Sequence, residues 1–401
     1  MNVLIISSSF PRFEGDPRGP FVLDEAVGLY YKGLDVYVLT QRYNDLPPFS
    51  EIRGVKVYRF WWVHKDDAPI QRKNLRNLDQ LLSYLVSAVF NAIKLVRKHK
   101  INIIYAQWTI PSGLIGVIAG WITRRPVVLA VHGSDLIGQL ANKRIIKFLN
   151  RLIISNANFT IARHRILYKL VVALVGNRAR AIMIPVCIDL AKFKHNIRYS
   201  LHTKFPRLLS YKKEGFLIVM TVRNLYPVYG IMYLIEAARR VYEINKSKKI
   251  VFVVVGDGPQ RREIEKLIAR YNLKDKVILL GSIPHSDIPE LLSMADIFVD
   301  PCLRGQGVAS IEAMAMGKPI VGFYAKNAAV KVIDGVTGYL APLGNAEMLA
   351  EKIAILIDDH QLRSSMAANA VKYARQYDCS KIADKIVDVF VSVINALNCS
   401  A

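Results

Sequence analysis

Short apolar runs alternate with longer amphipathic stretches along nearly the whole chain. In the first half the runs fall at residues 2–7, 35–40, 55–60, 101–107, 127–132, 159–162 and 181–185. They show little polar alternation, which marks strands buried on both faces and therefore a parallel sheet. Helical spacing of apolar positions fills most of the gaps, notably 21–31 and 79–98. Over 195–214 the rhythm lapses into a polar, basic, proline-containing stretch that reads as a linker. It then restarts, with strands at 216–221, 250–255, 277–281, 297–300, 319–323 and 338–341. Helices are expected at 232–244, 260–271, 288–294, 346–357, 361–376 and 380–396, with a shorter one opening near Val308.

Two successive sets of βαβ units predict an α/β fold class: two Rossmann-like, doubly wound domains facing across a cleft. The expected division is 1–200 for an acceptor domain and 201–375 for a nucleotide-binding domain, with a helix over 376–401 returning to the first. Open sheets of this kind bind ligands at the carboxyl ends of their strands.

Composition supports two cores rather than one. The chain has 401 residues, 52% of them apolar and 22% charged, which excludes a disordered polymer. Residues 103–122 carry no charge and are long enough to span a membrane. Pro111-Ser112-Gly113 divides them, however, into a strand and a short helix over 112–121. The four cysteines, Cys187, Cys302, Cys379 and Cys399, lie far apart and fit neither a zinc site nor a disulfide framework. With an N-terminus that runs straight into a strand, this predicts a cytoplasmic protein in a reducing compartment.

Charge changes the picture most. Residues 1–200 hold 29 Lys and Arg against 12 Asp and Glu, whereas 201–401 hold 26 against 20. An excess this local points to an anionic membrane surface, a polyanion or a phosphate-bearing substrate, the plain alternative being a solvated basic face. In the segment 142–155, "NKRIIKFLNRLIIS", Lys143, Arg144, Lys147 and Arg151 interleave with Ile145, Ile146, Phe148, Leu149 and Leu152. That suits a helix lying on anionic lipid, and equally an ordinary amphipathic helix over a core. "KLVRKHK" at 94–100 is also basic, and "FWWVHK" at 60–65 adds aromatics. No nucleic-acid motif is present, so no nucleic acid is expected as a partner.

Two loops carry candidate chemistry. "VVVGDGP", 253–259, is a strand followed by a glycine turn around Asp257 and Gly258, with Pro259 opening a helix; alone it reads equally as a plain strand-to-helix turn. "RGQGVASIEAMAMGKP", 304–319, is more specific. Gly305 and Gly307 allow close backbone approach, and the helix opening at Val308 offers free N–H groups to a phosphate. Glu312 lies in the second turn of this apolar helix, where a carboxylate needs a partner. A ribose diol would supply one, and so would a nearby Lys or Arg.

With these motifs the chain resembles the retaining glycosyltransferases of the GT-B fold, glycosyltransferase family 4. The resemblance runs through "SSFPRFEGDPRGPF", "VHGSDL", "IPVCIDLAKF", "RNLYPVYGIMYLIEAA", "VGDGP", "LLSMADIFVDPC", "IEAMAMGKPIVG" and "DGVTGYLAP". It implies transfer of a sugar from a nucleotide sugar, UDP- or GDP-linked, to a lipid-linked or other anionic acceptor. It further implies retention of configuration, with no bound metal and no separate cofactor. By the same resemblance Glu312 holds the donor ribose, and Asp257 and Gly258 lie in the nucleotide-side loop. Gly15 and Gly19 approach the donor diphosphate and the acceptor, and His132 stands beside the transferred sugar. His132 also reads as a histidine capping a strand end.

Two positions depart from the family. Where it places a glutamate eight residues before Glu312, this chain has Arg304. Of the arginine and lysine that it places on the "RNLYPVYG" loop for the diphosphate, Arg223 is present and the lysine is replaced by Tyr229. Three explanations stay open. Arg304 supplies the charge that Tyr229 cannot; Arg304 clamps a donor sugar bearing a carboxylate or sulfonate; or the chain is a catalytically inactive sugar-nucleotide-binding protein. The expectation is an active transferase, peripheral on the cytoplasmic face of a membrane, with His132, Arg223 and Arg304 at the reacting centre. A nucleotide-sugar epimerase is the alternative among enzymes.

Overall fold

A computed structural model describes the chain except residues 17, 44, 64–77, 134, 138–142, 177–178, 195–203, 327–331 and 399–401. It contains two compact units, Met1–Cys187 with Cys379–Ala401, and Ile188–Asp378.

The first unit is built on an eight-stranded sheet. Its strands are β1 (Asn2–Ser7), β2 (Asp35–Gln41), β3 (Phe49–Ile52), β4 (Val55–Phe60), β5 (Ile103–Gln107), β6 (Val127–Val131), β7 (Phe159–Ala162) and β8 (Ala181–Met183), in the order β3-β4-β2-β1-β5-β6-β7-β8. All neighbours are parallel except β3, an edge strand paired antiparallel with β4. Both faces of the sheet are covered, and successive side chains of one strand enter opposite cores. Val3 and Ile5 join one cluster, and Leu4 and Ile6 join the other. This explains why the strands lack a polar alternate. The first cluster is closed by α1 (Pro20–Tyr31) and the last helix, α13 (Cys379–Asn398). The second is closed by α2 (Leu78–Lys98), α3 (Leu114–Thr123), α4 (Arg144–Asn156) and α5 (Arg165–Val175).

The second unit has six parallel strands: β9 (Leu217–Val222), β10 (Ile250–Val255), β11 (Val277–Gly281), β12 (Ile297–Asp300), β13 (Ile320–Phe323) and β14 (Gly338–Ala341), in the order β11-β10-β9-β12-β13-β14. Its helices are α6 (Pro206–Lys213), α7 (Ile231–Ile244), α8 (Arg261–Arg270), α9 (Ile288–Met294), α10 (Val308–Ala315), α11 (Ala346–Asp358) and α12 (His360–Ala374).

Three expectations need amendment. Within the expected linker, residues 206–213 form α6, which starts on Pro206 at a first-turn position and buries Leu208; residues 195–203 lie outside the described residues. The hairpin partner β3 was not expected, because Phe49–Ile52 is a half-exposed edge strand without an apolar run. Cys187 and Cys379, 192 residues apart, are joined in a disulfide with Cα atoms 4.8 Å apart. Return of the chain into α13 brings them together, and linear spacing carries no trace of that. The pairing removes cysteine usage as a ground for a reducing compartment. Cys302 is a buried free thiol, and Cys399 lies outside the described residues. Residues 103–122 divide into β5, a wide helical turn over Thr109–Gly113 and α3, and no helix among the described residues is long and apolar enough to cross a membrane.

Candidate functional site

In both units the candidate residues sit on loops that leave the carboxyl ends of strands. In the first unit the loop after β1 carries Gly15 and Gly19, both at positive φ. Gly19 opens α1 at φ 63°, and a Cβ there would stand 2.5 Å from the Ser9 carbonyl oxygen. Only glycine fits, for conformation and for space. Pro20 then starts the helix, and Phe21 places its ring 5.4 Å from that of His132. His132 follows β6 and packs its ring against Trp108, with centroids 4.4 Å apart and the planes tilted by 30°. Its backbone N–H and that of Thr109 donate to Asp135, whose carboxyl is raised by burial to about 6 against those hydrogen bonds. Burial, with the charge of Arg163 added, holds the His132 imidazole well below its ordinary pKa, so the ring is neutral at pH 7.

The second unit brings together Arg223 after β9, Asp257 and Gly258 after β10, and the segment from Arg304 to Glu312 after β12. Arg223 makes a bidentate pair with the fully buried Asp300 at the end of β12: Nε donates to Oδ1 at 3.1 Å and Nη2 donates to Oδ2. Burial alone would lower the Arg223 pKa, but the charge and hydrogen bonds of Asp300 override it and raise it. Asp300 Oδ2 also accepts from Ser310 Oγ at 2.5 Å and from the Gly307 N–H at 3.3 Å. The carboxylate therefore ties Arg223 to the first turn of α10. A Cβ on Gly307 would lie 2.9 Å from the guanidinium nitrogens, so its absence lets the loop close on Arg223. Tyr229 holds its ring 5.5 Å from the Arg223 guanidinium carbon. Val308 starts α10 directly after Gly307, and Gly305 is buried beside them.

Arg304 is exposed and makes no ion pair among the described residues. It therefore differs from Arg223, whose charge is balanced within the protein. Glu312 is buried, as its apolar helix requires, and its partner is neither Lys nor Arg. His285, in the turn after β11, has Nε2 2.8 Å from Glu312 Oε1. Asp257 is exposed, accepting from the Gly258 N–H at 2.7 Å with Arg261 at 3.5 Å.

Sequence reading missed Asp300, His285 and a buried group formed by Glu25, Tyr105, Gln107 and Arg163. Asp300 and Glu25 carried a signal, since each is a carboxylate inside an apolar element. His285 and Arg163 carried none, as their partners lie 27 and 138 residues away.

Two family models match the chain in succession. "Glycosyl transferase 4-like domain" covers residues 19–187 and "Glycosyl transferases group 1" covers residues 208–373. Among curated relatives, the alpha-D-kanosaminyltransferase of Streptomyces kanamyceticus is 31% identical over 175 residues, 43% of this chain and 45% of that protein. This chain thus matches less than half the length of that relative. The UDP-Gal:alpha-D-GlcNAc-diphosphoundecaprenol alpha-1,3-galactosyltransferase of Escherichia coli is 27% identical over 77% of this chain and 80% of its own. Among solved structures, sucrose-phosphate synthase from Thermosynechococcus elongatus superposes over 99% of this chain and 100% of its own, with a TM-score of 0.79 at 19% identity.

Proposed function

Because the chain belongs to the GT-B glycosyltransferases of the family 4 type, we propose that it transfers a sugar from a UDP- or GDP-linked donor to a lipid-linked or other anionic acceptor, with retention of configuration and without a bound metal. The observation that carries this reading is the loop cluster of the second unit. An exposed cation, Arg304, lies four residues before Val308, where the helix N-terminus opens, and a buried carboxylate, Glu312, follows one turn later. A nucleoside diphosphate needs these groups: N–H donors and a cation for phosphate, and a carboxylate for the ribose hydroxyls. In a retaining transfer the donor phosphate itself takes the acceptor proton, so the chain's task is to position both substrates and stabilise the departing diphosphate. The E. coli relative, by its name, uses UDP-galactose and a diphosphoundecaprenol-linked acceptor, which favours a lipid-linked acceptor here. A thermal-shift screen of nucleotide sugars tests the reading, since a ligand of the native state raises the transition. No shift with any UDP- or GDP-linked sugar would overturn it.

The ribose assignment has its own test. Glu312 Oε1 already meets His285, and the carboxylate keeps further lone pairs for the ribose. Glu312→Ala is expected to weaken nucleotide binding by about 2–3 kcal/mol, the range for hydrogen bonds to a charged group. Calorimetry reads this directly, and unchanged affinity in a folded variant would end the assignment.

A membrane location completes the proposal. The helices α2, α3 and α4 lie on one side of the first unit's sheet and turn large apolar side chains outward, with Phe90 66%, Trp121 59% and Phe148 64% exposed. Leu85, Val86, Val89, Phe90, Ile93 and Ile118 line an apolar groove of about 400 Å³. Exposed cations accompany these helices: Arg97, Lys100, Arg124 and Arg125 at the ends of α2 and α3, Lys143 capping α4, and Arg144, Lys147 and Arg151 on it. Exposed apolar side chains with exposed cations on and beside the same helices suit an anionic lipid surface. Flotation is expected to recover the protein with anionic vesicles and to fall steeply with salt. Neutralising the four α4 cations together is expected to reduce recovery, each being worth about 1 kcal/mol at the surface. Equal recovery with neutral vesicles would refute the location.

A further inference from the structure

Beneath His132 the first unit buries an ion pair that no binding role requires. Arg163 and Glu25 are 4% and 3% exposed, with Nη2 of Arg163 2.8 Å from Oε1 of Glu25. Burying two charges costs several kcal/mol per ion, so such a pair is weak evidence of stabilisation. Its geometry indicates a different purpose. Glu25 Oε1 also accepts from the Tyr105 hydroxyl at 2.9 Å and from Gln107 Nε2 at 3.1 Å. Arg163 Nη2 donates to the Tyr105 hydroxyl at 2.9 Å and lies 3.4 Å from Gln107 Oε1. The Gln107 side chain is fully buried between a carboxylate on its nitrogen side and a guanidinium on its oxygen side. Turning the amide over would set oxygen against carboxylate and N–H against guanidinium, so its orientation is chemically determined. Gln107 Oε1 lies 2.6 Å from His132 Nε2, and an amide oxygen can only accept.

We propose that Glu25, Tyr105, Gln107 and Arg163 are positioning residues that hold neutral His132 as its Nε2–H tautomer, leaving Nδ1 as an acceptor for a hydroxyl group of the substrate. No hydrogen bond to Nδ1 is made among the described residues. A second observation supports the same conclusion. Trp108, packed against the imidazole, has φ 70° and ψ 153°, a backbone conformation rarely adopted by a residue with a side chain. Such conformations persist where surrounding structure over-determines them, typically at functional sites. The ring of His132 is thus packed against Trp108 and Phe21 and held in tautomer by Gln107. The identity of the partner as a sugar hydroxyl rests on the transferase reading; the tautomer does not.

The test uses the full chain labelled with ¹⁵N-histidine. Two-bond ¹H–¹⁵N correlation spectra distinguish the two neutral tautomers, and His132→Asn identifies the signal. The expected result is a single Nε2–H tautomer for His132 near pH 7; an Nδ1–H tautomer, or a mixture, overturns the proposal without need of any variant. In Gln107→Met, which keeps the length of the side chain but removes the carbonyl, the tautomers are expected to mix. On the donor found by the screen, that variant is expected to lose about ten-fold in kcat, the equivalent of one hydrogen bond, with KM changed less than about two-fold. Tautomers that mix in Gln107→Met with kcat unchanged would overturn the role of His132 beside the substrate, and a tautomer still fixed in that variant would overturn the positioning role of Gln107.

Discussion

Arg304→Ala is expected to lower the turnover number by about 10²–10³-fold, the loss typical of removing one donor that stabilises transition-state charge. The structure sharpens this expectation. Arg223, the other cation of the loop cluster, is balanced by Asp300 and covered by Tyr229, whereas Arg304 is exposed and makes no ion pair among the described residues. If Arg304 serves the departing diphosphate, its effect falls on kcat rather than on donor affinity, because only interactions stronger in the transition state accelerate chemistry. Arg304→Glu is then expected to be worse than alanine. Adding Tyr229→Lys is expected to recover part of the loss, a coupling that a double-mutant cycle measures. The recovery is partial because the new ammonium would stand beside the Arg223 guanidinium. An arginine that clamps an acidic donor sugar gives the opposite division, with donor affinity lost and kcat largely kept. Wild-type kinetics for Arg304→Ala would eliminate both roles, and an inactive copy would show no turnover with any donor.

Asp300→Ala is expected to destabilise the protein by about 3–5 kcal/mol, the cost of leaving one member of a buried ion pair without its partner. The loss has three parts: the largely buried Arg223 guanidinium, 13% exposed, the Ser310 hydroxyl and the Gly307 N–H all give up their acceptor. Changing both partners, as in Arg223→Met with Asp300→Leu, is expected to cost less stability than Asp300→Ala alone, since no charge is left unpaired. Denaturant unfolding measures both variants. A shift for Asp300→Ala within about 1 kcal/mol of wild type would mean that Asp300 does not anchor α10 to β9.

Much of this protein could be read along the chain because its strongest signals are local. Strands such as Ile250–Val255 are buried on both faces, so an uninterrupted apolar run specifies them without reference to any partner. The start of α10 is likewise written in adjacent residues, with Gly307 before Val308 and Gly317-Lys318-Pro319 after its end. The motifs that carry the resemblance, in order from the N-terminal loop to "DGVTGYLAP", allowed family and fold class to be expected, and the two family models, over 19–187 and 208–373, cover most of them.

What the sequence could not contain is pairing across long separations. Glu25 and Arg163 are 138 residues apart, His285 and Glu312 are 27 apart, and Cys187 and Cys379 are 192 apart. Each residue is ambiguous alone, because a buried polar group declares only that it has a partner, not which one. The tertiary structure decides the partner, and with it the chemistry: Arg223 becomes a balanced charge, Arg304 stays exposed, and His132 acquires a defined donor and acceptor. Parallel βαβ topology is the physical cause. It gathers the carboxyl ends of strands distant in sequence onto one edge of each sheet, where their loops meet.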